Sequence, residues 1–107
     1  MSYTKVKLAE EAAISAFGID RDYYFRYKQT HRQEIVFVKH IACNLARYKG
    51  DCLWRIITDY MGNKSHGTAV HAANQCFDLV SVDKDFAKIF YLAEEMYLKS
   101  LAKAGDN

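Results

Sequence analysis

Proline is absent from all 107 residues, and glycine occurs only five times. A chain with so few obligatory breakers is not collagen-like, not a Pro/Gly-rich linker, and not an all-β domain built on many tight turns. Cysteine is sparse too. Cys43, Cys52 and Cys76 are odd in number, and no two of them lie at the two-to-four-residue spacing of a zinc hook. They are expected to be small buried hydrophobes in a reducing compartment. There is no run of 18 apolar residues, and acids interrupt the apolar stretch at the N-terminus. Neither a signal peptide nor a membrane span is expected, and the protein is read as cytoplasmic.

Charge of one sign is also scarce: 15 Lys and Arg stand against 13 Asp and Glu, a formal net charge of +2. Half of the residues are apolar and 14% are aromatic, the opposite of a disordered composition. One domain with a real core is the expectation, without a second ATPase or catalytic domain within this length.

What is present reads as helices separated by caps. From Thr4, a candidate N-cap, apolar residues recur at Val6, Ala9, Ala13, Ile14 and Phe17 and stop at Gly18, which predicts a helix over 5–17. Asp20 caps a short aromatic helix over 21–27. After the polar break Lys28-Gln29-Thr30, the residues Ile35, Val38, Ile41, Ala42 and Leu45 predict a long helix over 31–48, stopped by Gly50. Asp51 is expected to cap a fourth helix that ends at Gly62. Ser65 is expected to cap a fifth with Ala69, Val70, Ala73, Phe77 and Val80 inside. Asp83 opens a sixth with an apolar stripe from Phe86 to Leu101. No alternating strand pattern or repeat interrupts this. The expected fold is all-α with about six helices, the fourth and fifth spaced as a helix-turn-helix.

The charges are unevenly placed. Residues 26–49 hold six bases and one acid, an excess of five, while 1–25 and 78–107 are slightly acidic. A local positive field next to a helix-turn-helix is what phosphate-backbone binding needs.

The segment Gly62-Asn63-Lys64-Ser65-His66-Gly67-Thr68-Ala69-Val70-His71-Ala72 resembles the signature of the C-terminal, DNA-binding domain of the bacterial replication initiator DnaA, usually Gly-Gly-Arg-Asp-His-Thr-Thr-Val-x-His-Ala. Gly62, His66, Thr68, His71 and Ala72 match, and Lys64 keeps the charge of the usual arginine. Phe17-Gly18-Ile19 and Arg32-Gln33 resemble flanking features of the same family, so the likeness runs over about residues 5–100.

The resemblance implies a Trp-repressor-like helix-turn-helix domain that binds double-stranded DNA, with the helix from Ser65 in the major groove. Ser65, His66, Gly67 and Thr68 then take the base-contacting positions, where hydroxyl and imidazole groups can bond base edges. Arg32, Gln33 and Lys64 take phosphate-positioning roles, and Arg26 and Lys28 fall in the equivalent of the family's basic loop. His71 is expected on the inner side as a structural histidine. Gly67 replaces the usual threonine or serine and Ser65 the usual aspartate, which implies a preferred DNA sequence different from the initiator's. Arg32 to Lys64 is longer than in typical members by about two helical turns.

The expected function is a stand-alone, sequence-specific DNA-binding protein associated with the nucleoid, a replication accessory factor or transcription regulator without enzymatic activity. The alternative is a protein-interaction module that kept the fold and lost base readout. No cofactor, metal or nucleotide is expected: His66 and His71 are five apart with no completing ligand, and Gly62-Asn63-Lys64-Ser65 lacks the glycines of a P-loop.

Overall fold

A computed structural model describes residues 3–62 and 65–105 of the chain. Six helices follow one another: α1 (Thr4–Phe17), α2 (Arg21–Tyr27), α3 (Gln33–Tyr48), α4 (Trp54–Met61), α5 (His66–Val82) and α6 (Lys84–Gly105). No strand occurs among the described residues, so the fold is all-α.

Local chemistry explains most boundaries. Gly18 and Gly62 adopt left-handed φ of 70° and 74°, and each amide returns to carbonyls of the preceding turn, closing α1 and α4. The Asp20 carboxylate accepts from the Tyr23 amide at 3.0 Å and starts α2. Asp83 does the same for α6, accepting from the amides of Asp85 and Phe86 at 3.0 Å each.

Two expected caps and one helix start differ. Tyr3, not Thr4, occupies the N-cap position of α1, and α3 starts at Gln33 behind an extended Arg32. Asp51 does not cap α4, which begins at Trp54 behind Leu53. Asp51 instead adopts φ 55° in the turn leaving α3, a conformation aspartate tolerates better than most residues.

The core forms around α3, which buries Ile35, Val38, Ile41, Ala42, Cys43, Asn44, Leu45 and Ala46. Helix α1 packs on it through small residues, Ala9, Ala12 and Ala13, and also meets α6; α5 covers the other flank. The buried Asn44 amide donates to the Ala73 carbonyl of α5 at 3.0 Å, satisfying a core polar group across that interface. The buried positions of α5 are Ala69, Ala72, Ala73 and Cys76. That stripe is rotated from the expected one: Val70 is half-buried and Phe77 is 49% exposed. Small residues win the inner face because α5 lies close to α3.

Gly50 has a tertiary role rather than a left-handed one. A Cβ at this position would collide with the Tyr97 hydroxyl and lie 2.9 Å from the Ala46 carbonyl oxygen. Tyr97 is fully buried and donates to the Lys5 carbonyl at 3.0 Å, so it cannot simply swing away. Gly50→Ala is expected to cost about 1–3 kcal/mol through overpacking. Urea unfolding checks it, with Tyr97→Phe in the same background recovering part of the loss. Additive losses from the two substitutions would contradict the collision.

All three cysteines are buried free thiols. Among the described residues no helix is long and apolar enough to cross a membrane.

Candidate nucleic-acid interface

Helices α4 and α5 pack on one another, with Ile57 and Met61 buried on α4 and Ala69 and Ala73 buried on α5. Gly62 turns the chain between them, and α5 resumes behind an extended Ser65. Helix α5 thus follows α4 after only a few residues. Ser65, His66, Gly67 and Thr68 are all exposed in the first turn of α5. Ser65 occupies the N-cap position, but its hydroxyl makes no bond to the helix backbone and lies 3.5 Å from the Thr68 hydroxyl. No acidic side chain sits in that first turn, so the positive end of the helix is not offset locally. Lys64 lies outside the described residues.

The loop between α2 and α3 comes to the same end of the molecule. The Gln29 side chain reaches the Gly62 turn, its nitrogen 3.8 Å from where a Cβ would be. A cleft of about 270 Å³ separates Gln29, Thr30 and His31 of this loop from Thr68, His71 and Ala72 of α5. Its remaining walls are Val36, Lys39, His40 and Cys43 of α3 and Met61 of α4.

The basic segment is less available than its charge count suggests. Lys28 turns inward, with its ammonium 2.7 Å from the fully buried Glu10 carboxylate. The same carboxylate accepts the Tyr24 hydroxyl at 2.7 Å and the Tyr60 hydroxyl at 2.6 Å. Burial, reinforced by Glu10, pushes both phenols above the ordinary tyrosine value, so they stay donors. Lys28 also lies over the Tyr60 ring, 4.6 Å from its centre. One acid thus ties α1, α2, the following loop and α4 together, which sets where α4 stands beneath the loop.

Arg47 is spent on the Cys52 carbonyl and the Trp54 ring, and Lys49 faces Glu94 at 3.7 Å. Arg32 remains exposed, stacked 3.9 Å from the centre of the Tyr27 ring and bonded to the Tyr23 hydroxyl, which in turn donates to Glu34 at 2.6 Å. That bond from Tyr23 holds the Glu34 carboxyl below its ordinary value. A stacked guanidinium is pre-organised for a phosphate oxygen. Gln33 is exposed beside it, and Arg26 is exposed in the last turn of α2.

Of the α5 quartet, Thr68 is brought to a common cleft with Gln29, Thr30 and His31 of the α2–α3 loop, while Lys28 serves the interior. His71 differs from expectation: it is exposed, and it lines the cleft. The inner positions beside it go to Ala69, Ala72 and Ala73. Sequence reasoning also missed Gln29, Thr30, His31, Lys39 and His40 as neighbours of α5, because their approach depends on how α3 packs. Glu10 was detectable, since it lies on the inward phase of α1 between Val6 and Ala13.

His40 has its Nδ1 buried without a partner among the described residues. Burial, then the proximity of His71, holds its imidazole below the ordinary histidine value. The folded state therefore prefers the neutral ring more than the unfolded chain does. The stability this contributes is complete above the unfolded value of about 6.5 and is lost as pH falls through the lowered folded value. Urea midpoints are expected to drop between about pH 7.5 and 5.5, and His40→Leu is expected to reduce the drop. An equal drop in the variant would remove His40 as its source.

Among the described residues no group of three or more His, Cys, Asp or Glu side chains is placed to hold a metal. Burial pushes the Cys43 and Cys76 thiols up to about 12, which makes them poor nucleophiles. Comparison with protein-family models, with curated proteins and with solved structures gives no match.

Proposed function

We propose that this protein binds double-stranded DNA in a sequence-specific manner, with α5 as the groove-facing helix, and acts as a replication accessory factor or transcription regulator. The observation that carries this reading is the exposed start of α5 at Ser65, His66, Gly67 and Thr68, of which Thr68 shares a cleft with Gln29, Thr30 and His31 of the α2–α3 loop. Free amides and the helix dipole at that end favour a phosphate, and the side chains offer donors and acceptors for base edges. The resemblance of residues 62–72 to the DnaA signature supports the same assignment. Arg26, Arg32, Gln33 and Lys64 take the backbone; Lys28 acts indirectly, by holding the loop.

The test is selection of duplexes from a random pool, followed by fluorescence anisotropy on the selected sequence. With about three phosphates neutralised by Arg26, Arg32 and Lys64, affinity is expected to weaken roughly 40-fold between about 50 and 200 mM salt. Failure to retain any duplex at the lower salt overturns the proposal. A steep salt dependence without sequence preference reduces it to non-specific binding.

A second reading, a protein-interaction module, is favoured by an exposed apolar cluster on another part of the surface. Tyr48, Leu53 and Phe77 are each about half exposed, with Trp54 partly covered among them. The Tyr48 and Phe77 rings are 5.2 Å apart. Phe77 lies about 16 Å along α5 from His66, so the cluster is separate from the α5 start. Co-purification of a protein partner without DNA retention would select this reading.

A further inference from the structure

The cleft behind the first two turns of α5 has a chemistry that duplex binding does not account for. Its volume, about 270 Å³, lies just under the roughly 300 Å³ at which small-molecule sites begin. Every ionisable carbon–nitrogen group on its walls is a cation or can become one: His31, Lys39, His40 and His71. No carboxylate lines it among the described residues. The floor is apolar, with Met61 buried and Val36 half-buried. Lys39 makes no ion pair among the described residues, and burial together with the nearby Lys28 holds its ammonium below the ordinary lysine value. Glu10 is paired with Lys28 and reaches Lys39 only as a minor electrostatic influence, so among the described residues Lys39 has no direct ionic partner.

We infer that this cleft is a binding site for a small organic anion, a carboxylate or phosphate monoester on a compact apolar body. The anionic group lies against Lys39, with His71 and the Thr68 hydroxyl within the same walls, and the apolar part rests on Met61 and Val36. An anion here gives Lys39 a direct ionic partner, in a partly desolvated setting where a charged hydrogen bond is stronger than in water. The apolar floor separates such a ligand from free phosphate, which has nothing to place on it.

The test uses the full chain and amide chemical shifts, with benzoate, phenyl phosphate, inorganic phosphate and benzyl alcohol as probes. Benzoate or phenyl phosphate is expected to shift the amides of Lys39, His40, Thr68 and His71 saturably; which of the two binds more tightly identifies the anionic group. Benzyl alcohol and inorganic phosphate are each expected to bind about tenfold more weakly or worse, one lacking the charge and the other the apolar body. Lys39→Gln is expected to weaken the better probe by about tenfold or more. His71→Ala is exposed enough to leave the fold intact and is expected to weaken it as well, which keeps the test valid if Lys39→Gln does not fold. No saturable shift from any probe overturns the proposal. So does equal binding of benzyl alcohol and benzoate, inorganic phosphate matching phenyl phosphate, or no effect of either substitution. Duplex affinity does not enter these measurements, so the outcome is independent of whether the protein binds DNA.

Discussion

Glu10→Ala is expected to lower the free energy of unfolding by about 3–5 kcal/mol, the cost of leaving a buried charge without its partner. Glu10 is fully buried, and the Lys28 side chain facing it is only 14% exposed. Removing the carboxylate strands Lys28 in a low-dielectric setting and takes the acceptor from the Tyr24 and Tyr60 hydroxyls. Lys28→Met strands Glu10 in the same way and is expected to cost a comparable amount. The double variant Glu10→Leu, Lys28→Met leaves no unpaired charge. It should recover most of the loss, short of about 1 kcal/mol for each tyrosine hydroxyl that loses its acceptor. Urea unfolding of the wild type, Glu10→Leu, Lys28→Met and the double variant measures the cycle. Additive losses, or a cost below about 1 kcal/mol for Glu10→Ala, would show that water solvates the pair and that it does not hold the loop.

Replacing His66 and Thr68 together with glutamate is expected to weaken duplex binding by about 100-fold or more, because it sets two negative charges against DNA phosphates. The same change leaves the fold in place. Both side chains are exposed, and acids in the first turn of a helix complement its dipole, so stability should hold or rise by a few tenths of a kcal/mol. This opposition makes the experiment informative: a loss of binding cannot be attributed to unfolding. Thermal unfolding and anisotropy on one sample read both effects. Wild-type affinity in the double variant would exclude α5 as the reading helix. Single truncations then divide the roles. Lys64→Ala should weaken all duplexes about equally, whereas His66→Ala should change preference at one base step by about 1–3 kcal/mol. Identical effects from the two would contradict that division.

The interior shows how one buried group can fix a loop at the surface. Lys28 belongs to the segment of highest positive charge, yet its ammonium faces Glu10 and the Tyr60 ring. It therefore anchors the α2–α3 loop against α1 and α4, leaving Gln29 beside the Gly62 turn and Arg32 outside, stacked on Tyr27. Exposed Arg26 and Arg32, with half-buried Lys39, carry the positive field that counting attributes to six bases.

Helix number, and most helix ends, were determined by the sequence itself. Their causes are local: no proline, left-handed glycines at 18 and 62, aspartate caps at 20 and 83, and apolar residues at helical spacing. The start of α5 behind Ser65 followed from the same signals. Tertiary structure decided the rest, because partners distant in the chain compete for the same groups. Asp51 lies in the left-handed turn after α3 rather than at the start of α4; the inner face of α5 went to alanines because α3 lies close, and His71 stands outside. The near-absence of net charge concealed a positive segment that the sequence could locate. Which of its cations are neutralised inside and which remain for a ligand depended on Glu10, 18 positions away from Lys28, and only packing brings those two together.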